Sequence, residues 1–343
     1  MVNCCSPIAV TMGDPAGIGG EITIKAWIKS HSSGKYPFFL IGDPSRIQNT
    51  AQQMNVDIPI RAIEKPESAN EVFCQALPII EERVKTDITE GVPNVSVAQT
   101  TIRSIDRALE SVVSGTASAM VTNPISKSTL YDAGFSYPGQ TEYLANKTNT
   151  TRPAVMMIAT ANLRVIPATI HLSLRDAIDS LTTDQLVLCT TTTVRALKQD
   201  FGINRPRIAV AGLNPHAGER GFLGREEIEI ITPAINELQM AGINVKGPFS
   251  SDTLFHQNAR EKYDAVICMY HDQALIPSKT IDFFNGVNIT LGLPIVRTSP
   301  DHGTAMDIAG TNRANPNSLI AAIKVAGQIA ATRQDTANAR ENS

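Results

Sequence analysis

Short apolar runs alternate with longer amphipathic stretches along almost the whole chain, and this alternation restricts the folds open to it. Strand-like runs stand at 8–12 (IAVTM), 37–42 (PFFLIG), 117–122 (ASAMVT), 154–160 (AVMMIAT), 163–170 (LRVIPATI), 207–213 (RIAVAGL), 264–270 (DAVICMY) and 286–292 (GVNITLG). Helix-like stretches lie between them, among them 19–30, 97–115, 181–202, 224–242 and 316–333. In the second of these, Ile102, Ile105, Ala108, Leu109 and Val112 recur at helical spacing, and Gly115 supplies a stop. Such alternation predicts an α/β protein with mainly parallel sheets flanked by helices. A length of 343 residues is large for one core and suits two packed domains. The turn-rich segment YDAGFSYPG predicts a break near Tyr131–Pro138. The polar ending RQDTANARENS is expected to be a mobile tail.

Charge narrows the partners. Thirty basic and 33 acidic residues give a net charge of −3, which argues against nucleic acid and anionic membranes. No apolar stretch approaches the ~20 residues of a membrane helix. The opening MVNCCSPIAV has neither the basic nor the apolar region of a secretory leader. The five cysteines (4, 5, 74, 189 and 268) are odd in number and form no CxxC pair, so reduced thiols and a cytoplasmic location are expected.

Three of the six histidines close strand-like runs: His171 in VIPATIHLSL, His216 in IAVAGLNPHAGE and His271 in AVICMYHDQ. Ligands of open α/β sheets gather outside the carboxyl ends of the strands, so side chains far apart in sequence can converge there. One histidine in that position is commonly a cap or loop residue. Three neutral imidazoles would suit a divalent metal with an open coordination position.

Four further segments could carry chemistry. TMGDPAGIGGE follows a strand and opens a helix, so its small residues can form an anion or cofactor site or simply a tight turn. It is no dinucleotide fingerprint, because Ile22 stands where Gly17-Ile18-Gly19 would need a third glycine. Gly42 and Asp43, ending the next strand, resemble the ribose-binding acid of that fold. In NPISKSTL, Lys127 can meet an anion or lie in solvent. In PGQTEYL, Gln140 and Thr141 can hold phosphate oxygens, or Thr141 can cap a helix. The run from His271 to Gly310 adds Lys279, Asn288 and Arg297, with Arg297 leaving an apolar strand, and then DHGTAMDIAG.

Together GDPAGIGGE, TNPISK, PGQTEYL, ATIHLSLRD, GLNPHAGE, SDTLF, MYHDQ and GVNITLGLPIVRTSPDHGTAMDIAG resemble, in order, the 4-hydroxythreonine-4-phosphate dehydrogenase family. The resemblance runs from about residue 8 to 330. DHGTAMDIAG is also similar to a segment lying against the dinucleotide in isopropylmalate and isocitrate dehydrogenases. The family implies a two-domain fold of that kind. Residues 1–130 plus about 301–335 would form a discontinuous cofactor-side domain, 131–300 a metal- and dimer-forming domain, and 336–343 a polar tail. It implies NAD or NADP, one divalent metal ion (Zn, Mg or Co), a phosphorylated small-molecule substrate, and a homodimer with shared active sites.

Carried over residue by residue, His171, His216 and His271 become metal ligands. Gln140, Thr141, Lys279, Asn288, Arg297 and Asp252 become substrate contacts. Gly13, Asp14, Gly17, Asp301, His302, Gly303 and Thr304 face the cofactor, and Asp272 and Lys279 are the catalytic candidates. Gln140 departs from the family, where histidine is common. The implied reaction oxidises a secondary alcohol to a β-keto acid that decarboxylates, in pyridoxine 5′-phosphate biosynthesis. A paralogous dehydrogenase of a related phosphorylated hydroxy acid is the nearest alternative. A metallohydrolase would have no use for DHGTAMDIAG, and a non-catalytic binding protein would have lost a ligand.

Overall fold

The structure, a computed structural model, describes residues 6–341. Its strands are β1 (Ile8–Thr11), β2 (Phe38–Gly42), β3 (Ile60–Ala62), β4 (Leu77–Glu81), β5 (Ala119–Val121), β6 (Val155–Ala159), β7 (Arg164–Pro167), β8 (Ile208–Ala211), β9 (Val245–Phe249), β10 (Ala265–Cys268), β11 (Val287–Leu291) and β12 (Arg297–Pro300). Two compact units are present, Met1–Asn149 with Leu293–Gln334, and Thr150–Gly292 with Asp335–Ser343.

In the first unit the strand order is β3-β4-β2-β1-β5-β12. Every pairing is parallel. Strands buried on both faces should read as continuous apolar runs, and Phe38, Phe39, Leu40 and Ile41 are all buried. The helix Ala98–Val113 covers part of this sheet through Ile105, Ala108 and Leu109. Its buried Ser104 accepts from the Met12 backbone N–H and donates to the Ile41 carbonyl, tying the helix to the ends of β1 and β2. Gly115, at φ +78°, follows as the stop.

The second unit has the order β11-β6-β7-β10-β8-β9. Here β7, β10, β8 and β9 run parallel. β6 is antiparallel to both β7 and β11. Val165, Val266, Ala209, Ala211 and Cys268 form the middle of its core. Burial pushes the Cys189 thiol up to about 12 and raises that of Cys268, so both stay protonated. Cys4 and Cys5 lie outside the described residues.

At the amino-terminal edge of this sheet, Asp264 accepts from the Arg207 backbone N–H at 2.7 Å and from its guanidinium at 2.9 and 3.2 Å. Burial alone would raise the Asp264 carboxyl, but these bonds and the Arg207 charge outweigh it and hold it below 3.8. A carboxylate depressed in this way contributes stability that is complete above its unfolded pKa and is lost as pH falls through the lower folded value. Asp264→Asn is therefore expected to destabilise the protein at pH 7 by about 1 kcal/mol, the modest figure reflecting a half-exposed Arg207. Urea midpoints of the two proteins should converge below about pH 3. A gap that persists in acid would place the effect elsewhere.

Four expectations are corrected. The unit boundaries fall at 149/150 and 292/293 rather than 130/131 and 300/301. The YDAGFSYPG turn lies inside the first unit, because Phe135 and Tyr137 pack on Tyr143 and Tyr143 donates to Asp106 on the helix Ala98–Val113. Arg297 opens β12 rather than leaving a strand. Residues 336–341 belong to the helix Asn317–Glu341, where Ala337, Ala339, Arg340 and Glu341 favour helix against the weaker Thr336 and Asn338.

Candidate active site

Each unit brings part of its candidate residues to the carboxyl edge of its own sheet. In the first, the loops after the adjacent parallel strands β1, β5 and β12 carry GDPAGIGG, NPISK and DHGTAMDIAG. Glycines let these loops touch. A Cβ on Gly13, at φ +72°, would stand 2.7 Å from the Pro124 carbonyl oxygen, and one on Gly17 would stand 3.0 Å from that of Thr304. The Ile18 N–H donates to the Thr304 carbonyl at 3.1 Å, so the glycine loop and Thr304 come together. Asp14 is buried and accepts from the Ala16 N–H at 2.9 Å. Burial raises its carboxyl pKa against the opposing pull of the Ala16 and Ser126 backbone N–H groups.

Beside this loop a shallow depression is lined by Gly17, Glu21, Gly42, Arg46, Glu90 and Gly310, among others. Glu21 Oε2, on its wall, is buried without a hydrogen-bond partner, and so is His302 Nε2 in the loop after β12. Nothing lies within 4 Å of the Cβ position of Gly303. Small residues, open space and unsatisfied polar atoms fit a polar cofactor. Asp43 does not have the free carboxylate of a ribose acceptor: it caps the helix Pro44–Gln53 and accepts from the Val84 N–H.

Gln140 and Thr141 begin the helix Gln140–Lys147, and Gly139 is its N-cap, so Thr141 is no cap. Gln140 is 9 % exposed and its buried Oε1 has no hydrogen-bond partner. Arg297 is 5 % exposed and donates to the Thr122 hydroxyl at 3.1 and 2.7 Å. Burial pulls the guanidinium down to about 10, against the field of Glu142 on the helix Gln140–Lys147. An N-terminal helix turn, an amide and a desolvated guanidinium make an environment for a phosphate.

In the second unit, β7, β10 and β8 are neighbours, and His171, His271 and His216 follow their carboxyl ends. Asp252 follows the next strand, β9, and accepts from Ser250. The rings of His171 and His271 lie 6.1 Å apart. Imidazoles sharing one ion at metal–nitrogen distances of about 2.1 Å have centroids roughly 5–6 Å apart. His271 Nδ1 meets Asp272 Oδ1 at 2.7 Å, which leaves Nε2 for a ligand. The two histidine rings stand just beyond the separation of a shared ion, and among the described residues His216 does not join them: no three His, Cys, Asp or Glu side chains gather around a common point.

Residues that sequence patterns did not single out hold these ends. Gln273, 8 % exposed, accepts from the Met269 N–H and donates to the Gly212 carbonyl and the Ser251 hydroxyl, joining the ends of β10, β8 and β9. Thr169 donates to the Met269 carbonyl and adds β7. Only the position of Gln273 inside MYHDQ hinted at it. Lys279 stands two turns beyond His271, about 12 Å along the helix His271–Ile281, with its ammonium over the Phe283 ring. Asn288 pairs with Ile158, which pairs with Val165, in the body of the sheet rather than at its carboxyl edge.

Backbone conformation is unusual at two of the histidines. His171 has φ +55°, and His216, Ala217, Gly218, Glu219, Arg220 and Gly221 are all at positive φ. A left-handed turn costs roughly 1–2 kcal/mol per non-glycine residue, so surrounding contacts must impose it.

The family model for pyridoxal phosphate biosynthetic protein PdxA matches residues 35–326. The chain belongs to this family. A relative called 4-hydroxythreonine-4-phosphate dehydrogenase, from Zymomonas mobilis, is 49% identical over 329 residues, 96% of this chain and 97% of its own. One of the same name from Caulobacter vibrioides is 49% identical over 332 residues, 95% of this chain and 98% of its own. A crystal structure of the Klebsiella pneumoniae 4-hydroxythreonine-4-phosphate dehydrogenase superposes with a TM-score of 0.86 at 40% identity, covering 96% of this chain and 99% of that one. Family membership thus reaches across both units. No helix among the described residues is long and apolar enough to cross a membrane.

Proposed function

We propose that this protein oxidises 4-phosphooxy-L-threonine with NAD or NADP, dependent on a divalent metal, to a β-keto acid that decarboxylates to 3-amino-2-oxopropyl phosphate, in pyridoxine 5′-phosphate biosynthesis. What carries this reading is the set of three histidines following three adjacent parallel strands, in a family whose members are named for that dehydrogenation. When bound, the metal lowers the pKa of the substrate hydroxyl and stabilises charge as carbon dioxide leaves, while the nicotinamide takes the hydride.

The rest is the work of the chain. Gln140, Thr141 and Arg297 hold the phosphate, with Lys279 and Asn288 as further substrate contacts. His171, His271 and His216 would hold the ion, and Asp272, in contact with His271 Nδ1, would leave Nε2 as the ligand atom. Asp272 or Lys279 moves the proton, and Asp252 orients the substrate. The glycine loop with Asp301, His302, Gly303 and Thr304 receives the dinucleotide. Gln140, a neutral donor at every pH, keeps a hydrogen bond to phosphate without the ionisation a histidine would bring.

The third metal ligand reaches the site across a homodimer. Support comes from exposed apolar side chains near the histidines in sequence: Leu172, Leu174, Phe222, Leu223 and Ile276, with Phe222 87 % exposed. Exposed apolar side chains mark association surfaces where they gather into a patch.

Two assays test the reading. Appearance of reduced nicotinamide with 4-phosphooxy-L-threonine should require added metal, and full turnover in excess chelator would refute it. Subunit exchange between His216→Ala and His271→Ala should restore about a quarter of wild-type activity, since half the dimers are hybrids with one intact site. His171→Ala mixed with His271→Ala should stay inactive, because one chain supplies both. No recovery in any pair, despite proven exchange, would mean that sites are not shared.

A further inference from the structure

The left-handed turn that carries His216 is backed by one buried carboxylate. Glu227 is 3 % exposed. Its Oε1 accepts from the Asn214 backbone N–H at 2.7 Å, and its Oε2 from the Asn214 side-chain amide at 2.9 Å. The same amide donates to Glu226 at 2.6 Å. Two glycines leave room for this carboxylate: a Cβ on Gly218 would stand 2.5 Å from Oε2, and one on Gly212 would stand 3.2 Å from Oε1. A Cβ on Gly224 would overlap the Asn214 side chain. Glu227 opens a π-helical turn, Glu227–Ile231, a feature frequent at functional sites.

We infer that Glu227 is a positioning residue for His216. Its carboxylate clamps the loop between the end of β8 and the left-handed turn, and so fixes where the imidazole is presented. The chemistry requires a carboxylate. An ionised carboxyl is acceptor-only and meets two donors, whereas glutamine would turn an NH₂ group against one of them. The inference rests on reading His216 as a metal ligand.

The test is the affinity of the full-length protein for Co²⁺, measured by chelator competition and by the visible spectrum of the bound ion. Wild type, Glu227→Gln, His216→Ala and the double variant are compared. Glu227→Gln is expected to weaken Co²⁺ binding about 10–100-fold in protein that is less stable but still unfolds cooperatively. The double variant should bind no more weakly than His216→Ala alone, because both changes remove the same ligand. Wild-type affinity in Glu227→Gln, with loss in His216→Ala, overturns the inference and leaves the metal reading standing. Wild-type affinity in both variants overturns both. Should Glu227→Gln fail to fold, Asn214→Ala carries the same test: it removes the side-chain donor, leaves the backbone bond, and should weaken Co²⁺ several-fold. Unchanged affinity there overturns the inference.

Discussion

Replacement of His271 by alanine is expected to lower kcat/KM by roughly three orders of magnitude, the equivalent of the several kcal/mol a metal contributes to such a step. Bound metal should fall with it. Stability should barely change, because the His271 and Asp272 side chains are substantially exposed and leave little buried polarity behind. His256→Ala is the control: His256 is exposed at the start of the short helix Gln257–Arg260, outside every motif, and should keep both metal and rate. Full metal content with full activity in His271→Ala would sink the metal assignment.

Arg297→Met should separate binding from folding. Methionine keeps much of the length and removes the charge. Loss of a charge-assisted contact to phosphate is expected to cost about 1.5–3 kcal/mol, or one to two decades in kcat/KM. Because the guanidinium is desolvated enough for its pKa to fall to about 10, its removal should leave thermal stability unchanged or raised. Substrate lacking the phosphate should lose far less. Equal losses with both substrates would place Arg297 away from the phosphate, and a collapse of stability would make its role structural.

Much of this was legible in the chain because parallel sheets leave a strong trace. The apolar runs at 8–12, 37–42, 207–213 and 264–270 correspond to β1, β2, β8 and β10, and the histidines follow strand ends as their runs suggest. Strands without such runs were hidden. β12 reads RTSP yet is wholly buried, with Thr298 donating to the Ala322 carbonyl. Its burial depends on partners far away in sequence. β3 is a three-residue edge strand whose side chains stay largely in contact with solvent. Thr141 looks like a cap, but Gly139 in extended conformation takes that position. The left-handed turn was invisible, because Ala217, Glu219 and Arg220 have no preference for positive φ. Only the tertiary clamp selects it.

That turn also governs how sequence variation in this family should be interpreted. At Ala217, held at φ +52°, the acceptable replacements are those that tolerate the left-handed region, namely glycine, asparagine and aspartate. Valine and isoleucine, closer to alanine in polarity, would be rejected for their branching. Substitution scores based on chemical likeness therefore rank this stretch in the wrong order. Libraries built to retune the enzyme would lose most members here unless they were drawn from conformational preference.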